Sequence, residues 1–90
     1  MLNLPEIVTE NDIYNYKQNI SNNIKSIRQR KKLSQLEVAL SIGQKSSGFY
    51  ANAENNSHDK HFNLIHLYKL SILFEVEICD FFKTQTLPNL

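Results

Sequence analysis

Cysteine is nearly missing from this 90-residue chain, and the one present, Cys79, has no second cysteine to pair with. No internal disulfide can form, which fits a reducing cytoplasm. Glycine and proline are scarce too, at two each. With few β-branched runs as well, that scarcity favours helices over a sandwich of short strands. No apolar run approaches the ~20 residues a membrane span needs, and the N-terminus lacks the basic-then-apolar order of a signal peptide. There is no internal repeat and no low-complexity tract. What the chain does hold is 41% apolar content, with four tyrosines and five phenylalanines. That suits one folded domain around one small core.

The net charge of +1 hides a segregation. Residues 1–12 sum to −3, residues 13–74 to +6 and residues 75–90 to −2. A basic middle between acidic ends suits a module that touches phosphates on one side. The plainer reading of the same charges is a solvated helix surface.

Apolar spacing then lays out the helices. Ile13, Tyr16, Ile20, Ile24 and Ile27 step by three or four, the stripe of a long first helix that closes near Lys31 and Lys32, where positive charge suits the dipole. The segment from Leu33 to Glu54, LSQLEVALSIGQKSSGFYANAE, reads as two short helices around a tight turn. Ser34 is a good N-cap with Glu37 three positions on, and Leu36, Ala39 and Leu40 follow at helical spacing over 35–41. Ile42-Gly43 stops that helix, and a cap at Ser46 or Ser47 starts the next, which runs over about 47–55. Two helices so joined form a helix-turn-helix, whose second helix can enter a DNA major groove. Asn56 can take a left-handed conformation in the loop NNSHDKH. Asn63 caps a fourth helix whose Leu64, Leu67, Tyr68, Leu70, Ile72, Leu73 and Phe74 give a broad apolar surface. A fifth helix over about 78–83 carries Phe81 and Phe82 onto the core. Residues 1–12 form an arm, 13–83 the domain and 84–90 a tail.

Four pieces in order, ISNNIKSIRQRKKLSQ, LEVALSIG, FYANAENN and NLIHLYKLSILFEVEICDFF, resemble the Cro/CI-type (Xre-like) helix-turn-helix family of bacterial and phage regulators. The resemblance covers Ile20 to Phe82, about two-thirds of the chain. It implies an all-α, five-helix, lambda-repressor-like DNA-binding domain, here with an extended N-terminal helix or arm. It also implies an ion pair between Arg28 of helix one and Glu54 closing helix three. By the same resemblance Gln35, at the start of helix two, and Asn55, just past the glutamate, contact phosphates, with Arg28 near one; Lys25 and Lys45, which flank the short helices, are expected to hold phosphates as well. Base contacts fall on Ser47, Gly48, Ala51 and Asn52. Asn52 can pair with an adenine edge through two hydrogen bonds and Ser47 can donate or accept, whereas Gly48 reads nothing and lets the backbone come close. Phe49 is expected to pack against a neighbouring helix.

The chain departs from the family pattern in places. No arginine or lysine lies on the base-reading face. Between Gly43 and Tyr50 there is one extra residue, Gln44 or Lys45, which leaves the register of helix three open by one. Lys32 replaces the glycine usual before Leu-Ser-Gln, and NNSHDKH is about two residues longer than common.

Other chemistries fit less well. His58, Asp59, His61 and His66 invite a metal, but Cys79 lies far along the chain, and loop polarity accounts for them better. Cys79 has no activating neighbour in sequence and is expected to serve as a small buried apolar residue. No enzyme, cofactor or metal is therefore expected. The expectation is a sequence-specific DNA-binding regulator, a repressor acting as a homodimer on double-stranded DNA with an inverted-repeat operator. The alternative is a protein-interaction module on the same fold, such as an antitoxin with a toxin partner or an adaptor. The arm and the fourth and fifth helices, Ile65 above all, are the expected pairing surfaces.

Overall fold

The computed structural model describes residues 6–84, and everything in them that is regular is helical. The order is α1 (Glu10–Arg30), α2 (Gln35–Ser41), α3 (Gly48–Glu54), α4 (Leu64–Phe74) and a closing 3-10 helix (Ile78–Phe82). The all-α expectation therefore holds, with four α-helices and a 3-10 turn where a fifth α-helix was expected. Residues 1–5 of the expected arm and 85–90 of the expected tail lie outside the described residues, while 10–12 of the arm belong to α1.

The long helix starts three residues before Ile13, inside the stretch expected to be an arm. Thr9 Oγ1 accepts from the Asp12 amide at 3.0 Å, and Asp12 Oδ2 accepts from the Thr9 amide at 2.9 Å. This is a capping box built with aspartate in place of the longer acids. Ser34 and Glu37 make the same reciprocal pair at the start of α2. Asn63 caps α4 by accepting from the His66 amide, and His66 Nδ1 accepts from the Asn63 amide in return. That bond fixes His66 as a cap residue, and its ring also lies 5.0 Å from that of Phe49. Phe49 thus packs on α4, as expected. Asn56 is left-handed, at φ 52°.

One core joins all the elements. Ile24 and Ile27 of α1, Val38, Ala39 and Ile42 around α2, Tyr50 of α3, Leu67, Leu70 and Phe74 of α4, and Phe81 are buried together. Phe74 and Phe81 meet edge to face at 6.3 Å, a favourable geometry for two rings. Asn23 Nδ2 donates to the carbonyls of Phe81 and Lys83, so α1 holds the closing turn in place. Four sequence expectations fail here: Phe82, expected on the core, and Cys79, expected to be buried, are both exposed, and the other two concern helix faces. Leu36 and Leu40 are exposed, and Val38 takes the core position on α2 instead. A helix this short has one inward face, and 38, 39 and 42 occupy it. On α1 the stripe is buried only in its C-terminal half: Ile24 is 0% exposed, but Ile13 is 44% and Tyr16 60%.

The turns show why particular residues sit where they do. Gly43 has φ +94°, which an L side chain rarely adopts, and it ends α2. Lys69 Nζ donates to the Ile42 carbonyl at 3.2 Å, so a cation from α4 satisfies the negative end of α2. Lys32, just past the end of α1, has φ 60°. A glycine there would relieve a left-handed side-chain conformation at the end of α1. Lys32→Gly is expected to stabilise the protein by about 0.5–1 kcal/mol in urea denaturation; an unchanged or lower midpoint would refute the strain.

Candidate nucleic-acid interface

Glu54, the last residue of α3, organises this region. Arg28 Nε and Nη2 donate to its Oε2 and Oε1 at 2.8 and 3.0 Å, a two-pronged ion pair. Gln35 Nε2 donates to Oε1 at 2.9 Å, and the Tyr50 hydroxyl to Oε2 at 2.6 Å. One carboxylate, 1% exposed, thus gathers donors from α1, α2 and α3. Arg28 Nη1 also donates to the Leu33 carbonyl at 2.8 Å, which pins the turn leading into α2. Ser21 Oγ adds a bond to the Ala53 carbonyl at 2.9 Å.

The electrostatics follow from this crowding. Burial by itself would push the Glu54 carboxyl up, but the hydrogen bonds from Arg28, Tyr50 and Gln35 outweigh it and hold the group below its ordinary 4.5. Its hydrogen bond to Glu54 raises Arg28 further. Burial first, then the bond to Glu54, pushes the Tyr50 hydroxyl far up. At neutral pH the cluster is an arginine cation, a carboxylate and a neutral phenol, and every oxygen of the carboxylate has partners.

The structure brings Arg28, Glu54 and Gln35 together and places the other expected residues on α1, α3 and the bend between α2 and α3. Lys25 is exposed on α1, one turn before Arg28. Three of the five guanidinium N–H groups of Arg28 are engaged inside the protein, leaving two for an outside oxygen. Gln35 starts α2, but one N–H of its carboxamide is committed to Glu54. Lys45 is exposed in the bend between α2 and α3. Ser47 is the N-cap of α3, yet its side chain makes no capping bond, and its hydroxyl is not consumed by the helix it precedes. Gly48 is exposed, and a Cβ there would meet only Ser46 Oγ at 3.8 Å, so the fold does not itself require glycine. Ala51 and Asn52 are half-buried on α3, and Asn55, its C-cap, is exposed.

One participant was missed from the sequence. Ser57 donates its amide to the Asn52 carbonyl at 2.9 Å, and its hydroxyl lies 3.3 Å from Asn52 Oδ1. It steadies the carboxamide while leaving Asn52 Nδ2 without a hydrogen-bond partner among the described residues. The only hint was a serine five positions on, in a loop with no periodicity. No family model, curated protein or solved structure matches the chain.

Proposed function

We propose that this chain is a sequence-specific, DNA-binding transcriptional regulator, a cytoplasmic repressor that binds an inverted-repeat operator as a homodimer. The arrangement is lambda-repressor-like, with the closing 3-10 turn in the place of a fifth helix. One observation carries the reading: the Glu54 cluster fixes the short α3 rigidly against both α1 and α2. A reading helix must be held so, because base-edge hydrogen bonds demand precise placement. Around it Lys25 and Lys45 are exposed cations, and Ser47 and Asn52 retain hydrogen-bonding capacity. Gly48 leaves the backbone at the start of α3 open to close approach. Two copies on half-sites one helical turn apart gain affinity and palindrome specificity that one small domain lacks.

The test is the affinity for duplex DNA as salt is varied. Each neutralised phosphate contributes about −0.9 to the slope of log K against log salt, so a dimer using Lys25, Arg28 and Lys45 from each copy should give about −5. No binding, or binding indifferent to salt, would overturn the reading. A second reading rests on α4, whose Leu64, Ile65, Tyr68 and Ile72 are exposed. Its one charged residue, Lys69, is turned to the Ile42 carbonyl. An uncharged apolar face suits a protein partner such as a toxin, as an antitoxin or adaptor would need.

A further inference from the structure

We infer that the projecting N-terminal half of α1 is the surface on which two copies of this chain meet, paired antiparallel; this rests on the homodimer named in the proposed function and assigns its interface. Ile20, Ile24 and Ile27 continue the same stripe as Ile13 and Tyr16, but only the first three enter the core. Among the described residues no α-helix packs along the outward half of this seam, although the Tyr16 ring lies 6.5 Å from that of Phe82 in the closing 3-10 helix. Beside the seam lies a groove of about 330 Å³ lined by Ile13, Tyr16, Ile20 and Phe62, with Lys17, Ser21 and His61 among them. Its walls are mostly apolar, as the side chains of a helix laid alongside would need.

Charge identifies the occupant as a second copy. Glu10 and Lys17 share one flank of the seam with Ile13 and Tyr14, where Asn56 and Asp59 of the loop after α3 also reach. Glu10 and Lys17 stand two turns apart, roughly 10 Å along the axis, too far to pair with each other. Neither has an ion-pair partner among the described residues. When two such helices cross antiparallel about a twofold axis, with Ile13 of one against the partner's Tyr16, like flanks face each other. Glu10 then comes within roughly 3 Å, along the axis, of the level of the partner's Lys17. The twofold makes the contact twice, once at each end. The seam is thus complementary to itself, as a closed symmetric dimer requires.

Sedimentation equilibrium on the full chain tests this, with circular dichroism confirming that each variant is folded. The wild type should be a dimer, and Ile13→Glu should raise its dissociation constant at least a hundredfold. Glu10→Lys and Lys17→Glu should each raise it about tenfold, and the double exchange E10K/K17E should return it to within about threefold of the wild type. The double exchange decides the matter even where Ile13→Glu fails to fold, because it keeps the seam intact. A monomeric wild type, a double variant no better than the singles, or a dimer broken by Ile72→Glu but not by Ile13→Glu would overturn the assignment. The two readings fail separately. Salt-dependent DNA binding with no response to the exchanges removes this interface alone, and a rescued dimer that ignores DNA removes the DNA reading alone.

Discussion

Arg28→Ala should lower the unfolding free energy by about 3–5 kcal/mol, the usual loss when one member of a buried ion pair is removed. The cause is the carboxylate left behind. Glu54 is 1% exposed, and without Arg28 it keeps only Gln35 and Tyr50 as side-chain donors. A total stability of about 5–15 kcal/mol leaves little margin for such a loss. Arg28→Met combined with Glu54→Leu should cost clearly less than Arg28→Ala, because no charge is then stranded. The pair also has a pH signature. The folded-state pKa of Glu54 lies below its ordinary 4.5, so its contribution is present above that value and lost as pH falls through the lowered one. Urea midpoints should therefore drop on acidification below about pH 4.5, and Glu54→Gln should flatten that drop while lowering the midpoint at neutral pH. A wild-type midpoint that is flat with pH, together with a harmless Arg28→Ala, would show that the cluster does not hold α3.

How much of this was legible before the structure depends on the kind of signal. The bounds of α2, the cap at Asn63, the stop at Gly43 and the left-handed Asn56 all rest on local chemistry, and each is where the residues put it. The contact of Arg28 with Glu54 came from the family resemblance; spacing alone would not have paired residues 26 apart. The start of α1 was misread because the capping box at Thr9 uses Asp12 where glutamate or glutamine is the usual signal. The inward face of α2 was misread because 36, 39, 40 and 38, 39, 42 are equally helical patterns in seven residues. Only the packing against α3 and α4 chooses between them. The last helix tightened to 3-10 form because it follows the left-handed Glu75 by three residues and has room for little more than one turn. No local pattern announced Ser57, since its value lies in reaching Asn52 across a loop.

Asn52 and Lys45 should separate sequence choice from affinity. Asn52 lies on α3 with its Oδ1 steadied by Ser57 and its Nδ2 unpartnered among the described residues, the two groups needed at an adenine edge. Asn52→Ala should therefore shift the preference at one base position in each half-site by about 1–3 kcal/mol. Lys45 is exposed on the bend ahead of α3 and carries charge without a rigid tether. Lys45→Ala should weaken all duplexes alike and reduce the salt slope by about one unit per copy. Ser47→Ala should act as Asn52→Ala does, but more weakly.

The most direct measurement is selection from a random duplex pool by the wild type and by Asn52→Ala side by side. The wild type should enrich an inverted repeat with half-sites one helical turn apart, and Asn52→Ala should enrich the same repeat with one adenine per half-site relaxed to mixed bases. A wild-type pool that stays random, or an enriched repeat that Asn52→Ala leaves unchanged at every position, would contradict the assignment of α3 as the reading helix.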